Sequence, residues 1–218
     1  MKIKRPRYIE SLKNRMGNGL VKVITGIRRS GKSYLLFELF YGYLLETGVE
    51  RDSIISIALD DEKLSELRDP SRLLEFIQQK TPDPSQKYYL FLDEIQYAIS
   101  EDELKHPNKP LRIYGVLNGL LRNHNIDIYV TGSNSRFLST DVMTEFRGRG
   151  DEIHVLPFSF SEYMQAFDGD IYHGWAEYVT YGGLPLVPSL KTDEQKSTYL
   201  KSLFKETYIK DIIDRNKI

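Results

Sequence analysis

Apolar residues gather along this chain in short unbroken runs, and between the runs they recur every three or four positions. Val21 to Ile27, Ser53 to Leu59, Tyr88 to Leu92, Asp127 to Thr131 and Glu152 to Leu156 read as strands. The continuous apolar character of the first predicts burial on both faces, as in a parallel sheet. Amphipathic spacing predicts helices over Lys32 to Thr47, ending at Gly48, and from Asp69-Pro70-Ser71 through Lys80. It predicts others over Leu111 to Asn123 and Phe137 to Phe146, the last broken by Arg147-Gly148-Arg149-Gly150. Met16 to Gly19 is a turn, and Ser100 to Pro110 reads as a polar, exposed excursion. Lys2 to Arg7 reads as a solvated basic lead-in, or as residues lying near a nucleotide base, with a weak helix over Tyr8 to Leu12. Strands alternating with helices imply βαβ units with right-handed crossovers. After Phe158 the pattern turns helical, over Ser161 to Phe167, Tyr172 to Tyr181 and Asp193 to Asn216, with Gly182-Gly183-Leu184-Pro185 as a loop. The expected fold is therefore α/β. A five-stranded parallel sheet flanked by helices fills residues 1–160, and a small helical appendage fills 161–218. Ile209 to Ile218 brings no breaker or polar tail, so the polypeptide is expected to continue past it.

The first strand runs straight into Gly26-Ile27-Arg28-Arg29-Ser30-Gly31-Lys32-Ser33. This fits G-x-x-x-x-G-K-[ST], the phosphate-binding P-loop, in the strand–loop–helix setting that the motif requires. The glycines let the backbone turn so that successive N–H groups face one anion, and the helix adds its positive end. Gly26 through Ser33, with Tyr34 beside them, are the expected nucleotide contacts. Lys32 would reach the β- and γ-phosphates and the Ser33 hydroxyl would ligate Mg²⁺. Arg28 and Arg29 are expected to project into solvent.

The third strand ends in Asp93-Glu94. A strand adjacent to the P-loop strand would place Asp93 near Ser33 as an acidic partner for Mg²⁺, directly or through water, while Glu94 would polarise the attacking water as general base or orienting group. The fourth strand ends in Thr131-Gly132-Ser133-Asn134. Thr131, Ser133 and Asn134 are all candidates to sense the γ-phosphate, and an N-cap role competes for the same residues. Arg147 and Arg149 are candidates to neutralise charge on the γ-phosphoryl group, within the chain or from a neighbouring subunit. Asp60, Asp61 and Glu62 follow the second strand as either a solvated acidic loop or a Mg²⁺ or water contact. The histidines at 106, 124, 154 and 173 lack metal-ligand spacing. Trp175 and the tyrosines read as packing residues, and the charges near the C-terminus as a mixed solvated face.

A net charge of −1 over 218 residues gives no global field for nucleic acid or membranes, so any such contact must be a local patch. The absence of cysteine excludes disulfides, thiolate metal sites and a cysteine nucleophile. No apolar run is long enough to span a bilayer, and the N-terminus lacks a signal core. A cytoplasmic protein is the expectation.

These stretches, with Leu156 to Glu162, Tyr181 to Pro185 and Lys210 to Ile213, resemble a family of archaeal and bacterial AAA+-type ATPases. In that family the ATPase module precedes a domain of unknown function, DUF4143. The resemblance implies an additional-strand P-loop fold with the Asp93 strand and the 127–131 strand beside the P-loop strand. It implies ATP and Mg²⁺ as ligands, a helical or winged-helix segment after the core, and a further C-terminal domain. It singles out Arg149 over Arg147. The expected function is ATP hydrolysis to ADP and phosphate, using Lys32, Glu94, Asn134 and Arg149, with nucleotide state repositioning an attached domain or partner. Homo-oligomers and a DNA or protein partner engaged through the C-terminal region belong to that expectation. The alternative is a nucleotide-gated DNA- or protein-binding switch that hydrolyses slowly or not at all. A small-molecule kinase fits less well, because Asp93-Glu94 followed by Ile95-Gln96 suits water activation.

Overall fold

The computed structural model describes residues 3–106, 110–132, 146 and 148–209. Five parallel strands form one sheet: β1 (Val21–Thr25), β2 (Ile54–Ala58), β3 (Tyr88–Asp93), β4 (Ile126–Thr131) and β5 (Gly150–His154). Their spatial order is β2-β3-β4-β1-β5. The fifth strand starts two residues earlier than its apolar run suggests, because Gly150 already pairs with Val21. The P-loop strand lies between β4 and β5, and β3 is one strand further out. The expectation that the Asp93 strand adjoins the P-loop strand is thus corrected: β4 is inserted between them.

Alternation along the strands sorts their side chains onto two faces. Val21 and Val23, Tyr88, Leu90 and Leu92, and Ile126, Ile128 and Val130 face one layer, which is covered by Leu73 and Ile77 and by Ile113, Leu117 and Leu120. Ile24, Tyr89, Phe91 and Tyr129 face the other, covered by Leu35, Leu36, Leu39, Phe40 and Leu44 and by Tyr8 and Leu12. Runs apolar at every position are what a sheet covered on both sides demands.

The helix after the P-loop is one run in three parts: Lys32–Tyr34, a π-helical segment Leu35–Phe40, and Tyr41–Glu46. It stops where Gly48 takes φ +90°. Val49 N–H then donates to Leu44 and Gly48 N–H to Leu45, closing a Schellman turn. Pro70–Lys80 starts on Asp69, whose side chain accepts from Ser71 and Arg72 N–H. The excursion expected after Ser100 holds a short helix, Glu101–Lys105, with a reciprocal Ser100–Glu103 capping box. Phe137 to Phe146, expected to be helical, lies outside the described residues save Phe146, which is buried against Tyr114.

Past β5 the helices Phe160–Tyr163, Ile171–Tyr181 and Asp193–Leu203 gather a separate apolar cluster around Phe158, Tyr163, Leu184, Val187 and Leu203. Ile3 joins it. The solvated lead-in is therefore corrected. The first helix begins at Pro6, and Arg5 is buried at 1% exposure between the N-terminal segment and this cluster. The packing role expected of Trp175 is half met: its ring lies edge-on to Phe160 at 5.0 Å yet is 53% exposed. No helix among the described residues is long and apolar enough to cross a membrane.

Candidate functional site

The carboxyl edge of the sheet brings the sequence-predicted residues together. At the end of β1 the chain turns at Gly26, φ +138°, where a Cβ would stand 2.2 Å from the Val155 carbonyl oxygen. Only glycine fits beneath the close approach of the chain leaving β5. Gly31 takes φ +92°, and Arg29 adopts the left-handed region at φ +63° without being glycine. Ser30 is fully buried, and its hydroxyl meets no hydrogen-bonding partner among the described residues. Lys32 is buried, with Nζ donating to the Gly26 and Ile27 carbonyls at 3.0 Å each. Burial lowers its pKa; the charges of Glu94 and Asp93 oppose that, and Arg28 reinforces it.

Arg28 is half-buried and close enough to act on Lys32, and Arg29 lies over the Tyr199 ring at 5.8 Å. Arg29 is exposed as expected, whereas Arg28 is not the purely solvated side chain expected. Ile27 is exposed, Ser33 is half-buried, and Tyr34 packs against the core face of its helix.

Asp93, at the end of β3, is buried. Burial raises its pKa, and hydrogen bonds from Thr131 and Ser33 hold it back down. Although β3 is one strand removed from β1, its last residue thus meets the first turn of the P-loop helix. Thr131 is fully buried; its hydroxyl donates to Asp93 and accepts the Glu94 N–H at 3.2 Å. One side chain of the intervening strand therefore brackets both carboxylates. That leaves Thr131 occupied as a support and weakens its candidacy as a phosphate contact.

Glu94 itself sits at φ +50°, ψ +52°. That conformation costs a non-glycine residue about 1–2 kcal/mol, and such strain concentrates at functional sites. Its carboxylate accepts from the Gln96 amide. Asp60 lies near enough to raise the Asp93 pKa further, while Asp61 caps the following turn and Glu62 pairs with Arg68.

Ser133, Asn134 and Arg147 lie outside the described residues. Arg149 does not join the site. Its carbonyl accepts from Val21 N–H at the opposite, amino edge of the sheet. Four residue steps separate Val21 from Thr25, roughly 13 Å along the strand. Arg149 is exposed there.

The donor set suits a hard cation: a hydroxyl oxygen at Ser33 and a carboxylate at Asp93. No cluster of three or more His, Cys, Asp or Glu gathers as a metal site among the described residues. A cation held here would draw its other ligands from phosphate and water, as Mg²⁺ in nucleotide sites does.

A five-stranded parallel sheet in this order, with a P-loop after β1 and carboxylates at the end of β3, defines an AAA+-type P-loop fold. The family model described as AAA domain matches residues 18–164, and the chain belongs to that family. An uncharacterized protein of Haemophilus influenzae is 32% identical over 219 residues, covering 98% of this chain and 51% of the relative. An uncharacterized protein of Methanocaldococcus jannaschii is 25% identical over 210 residues, covering 91% of this chain and 43% of the relative. The chain thus spans about half the length of these curated relatives. Among solved structures, AMPPCP-bound DnaA from Aquifex aeolicus superposes with a TM-score of 0.50 at 14% identity, covering 96% of this chain and 65% of that one. The Saccharomyces cerevisiae Hsp104:casein complex gives 0.51 at 15% identity, covering 83% and 31%. These likenesses show the fold.

Two things were missed from sequence. Thr131 was one candidate among three, and the period-two pattern does not reveal that it brackets both carboxylates. Arg5 carried no local signal, but its partner did: Ser159-x-x-Glu162 is a capping-box pattern that marks where a helix begins.

Proposed function

We propose that the chain is an ATPase module that binds ATP with Mg²⁺ and hydrolyses it to ADP and phosphate. The observation that carries this is the bracket at the carboxyl edge, where Thr131 holds Asp93 against Ser33 and fixes Glu94 beside it. In this reading the N–H groups from Gly26 to Ser33 receive the phosphates, with Lys32 leaving the loop carbonyls to meet the β- and γ-oxygens. Ser33 and Asp93 hold the Mg²⁺, which when bound draws negative charge from the phosphate oxygens. Glu94 accepts a proton from water as the water oxygen bonds to the γ-phosphorus. The bond to the β–γ bridging oxygen breaks, and its electrons leave on ADP. Asn134 is assigned to sense the γ-phosphate. The base is assigned to the cavity of about 700 Å³ between Pro6, Arg7 and Tyr8 and the chain from Leu156 to Ser159.

Arg149 is assigned to a second copy of the chain. Its exposed position at the edge opposite its own P-loop supports action across a subunit contact. Residues 1–160 form the ATPase core in this reading. Residues 161–218 form a lid or winged-helix-like segment leading to a further domain, of the DUF4143 kind, that nucleotide state repositions. The protein works in the cytoplasm, and its larger partners, DNA or protein, are engaged through that further region.

One observation favours the second reading, a switch that hydrolyses slowly until a partner acts. The Gln96 amide occupies one oxygen of the Glu94 carboxylate, so a partner that draws Gln96 away would free a further acceptor site for the attacking water. Measuring ATP turnover per molecule across a range of protein concentrations, with and without DNA, tests both. Turnover that rises with concentration and collapses in Arg149→Ala supports an ATPase completed in trans. Tight ATP binding with turnover only after adding DNA or protein supports the switch. Absence of nucleotide binding removes both.

A further inference from the structure

The guanidinium of Arg5 ties together three parts of the molecule that sequence places far apart. Its Nη1 donates to the Ser30 carbonyl inside the P-loop at 3.1 Å. Its Nη2 donates to the Leu156 carbonyl at 2.7 Å and the Pro157 carbonyl at 3.4 Å, where the chain leaves the sheet. Its Nε and Nη2 form a two-pronged ion pair with Glu162, at 3.1 and 3.2 Å, in the first turn of the helical appendage. The Tyr8 ring lies 4.4 Å from the guanidinium carbon and the Phe158 ring 5.4 Å. Glu162 is itself fixed by Ser159 N–H at 2.9 Å. The appendage also reaches the P-loop directly. Pro185 Cγ lies 3.7 Å from where a Gly31 Cβ would stand, and Tyr199 lies under Arg29.

A buried ion pair is a poor way to gain stability, because desolvating two charges offsets most of their attraction. What this one fixes is orientation. In a trans peptide the carbonyl and the next N–H point in opposite directions. Holding the Ser30 carbonyl on Arg5 therefore turns the Gly31 N–H to the far side of that peptide. We infer that Arg5 is a positioning residue that aims the Gly31 N–H into the phosphate cradle and, through Glu162, couples occupancy of the cradle to the helical appendage. An anion on the Gly31 N–H polarises the peptide and strengthens the Ser30 carbonyl as acceptor for Arg5. Filling the loop thereby tightens the grip that also holds Leu156, Pro157 and Glu162. The inference rests on the proposal that the loop binds a nucleotide.

Trp175 is the chain's single tryptophan and sits in the appendage, so its emission reports the packing there. The test compares wild type with Arg5→Met/Glu162→Gln, which removes both charges, and with Arg5→Lys, which keeps the charge but not the fork. Each is checked for a cooperative thermal melt. Titration calorimetry with ADP and Mg²⁺ then measures binding, and Trp175 emission is read at saturation. The wild type is expected to bind and to change its emission. The double variant should bind roughly tenfold more weakly, the worth of one hydrogen bond to a charged phosphate, and show no emission change at saturation. Arg5→Lys should retain a partial response. Wild-type affinity together with a wild-type emission change in either variant that melts cooperatively overturns the inference. Wild-type binding without any emission change overturns it while leaving the ATP-binding proposal standing. No calorimetric binding by the wild type overturns both.

Discussion

Asp127→Ala is the substitution whose cost the structure specifies best. Lys22, read from sequence as part of an apolar strand, is fully buried at the amino end of β1, and its ammonium is paired with Asp127 of β4. Asp127 also accepts from the Tyr129 hydroxyl at 3.0 Å and from Gly17 N–H at 2.8 Å. Removing it leaves the ammonium with the Leu20 carbonyl at 2.8 Å and the Asn18 amide oxygen at 3.5 Å, and leaves two further donors without this acceptor. Breaking one side of a buried pair costs about 3–5 kcal/mol. In a chain this long each kcal/mol moves the melting temperature by about 2–4 °C, so the drop should be roughly 6–20 °C. Burial already lowers the Lys22 pKa. A lysine with a lowered folded pKa binds fewer protons folded than unfolded, so stability rises with pH between the folded and unfolded values. Asp127 opposes that lowering, so without it the Lys22 pKa falls further and the variant begins to gain stability with pH before the wild type does; its deficit should therefore shrink as pH climbs until the wild-type Lys22 has also lost its proton. Guanidinium denaturation followed by circular dichroism measures it. The double variant Lys22→Met/Asp127→Leu should recover more than half of the loss. A cost below about 1 kcal/mol, or no recovery in the double variant, would mean that the Lys22 ammonium does not depend on Asp127.

The other expectations concern the site. Asp93→Asn should stabilise the nucleotide-free protein while abolishing Mg²⁺-dependent nucleotide binding. A carboxyl whose folded pKa is raised loses stability as pH rises through its unfolded value near 4 toward its folded one. The melting curves of wild type and variant should therefore coincide in acid and separate above that value; a variant less stable at pH 7 would contradict this. Gly26→Ala should lose nucleotide binding in calorimetry, since its methyl would stand 2.2 Å from the Val155 carbonyl oxygen in a backbone conformation that alanine avoids. Unchanged affinity would mean that the loop has room that the structure denies.

Much of this was legible in the amino-acid sequence, for reasons that also explain what was not. Gly26, Gly31 and Lys32 announce themselves because a phosphate cradle tolerates few alternatives at those positions. Apolar runs such as Tyr88 to Leu92 identify strands because both faces of the sheet are covered. Strand order is a different matter. Nothing local to Tyr88–Asp93 says that β4 stands between it and β1, and only a side chain of β4, Thr131, shows how the carboxylates still reach the loop. Buried charges were hidden for the same reason. Arg5 looks solvated, and Lys22 stands unexplained in an apolar strand, until their partners Glu162 and Asp127, 157 and 105 residues away, are brought to them by the fold. Arg149 matched a motif, and only the register of β5 on β1 shows that it stands at the far edge of the sheet.

In the proposed reaction Glu94, held in a strained backbone beside Asp93, takes the proton from the attacking water. The measurement that tests it most directly is single-turnover ATP hydrolysis by wild type and Glu94→Gln under conditions where both are saturated with ATP and Mg²⁺. The variant should still bind ATP, and its hydrolysis rate should fall by about 10²–10⁴-fold, the range for losing a general base. A variant that hydrolyses at the wild-type rate while bound to ATP would contradict it.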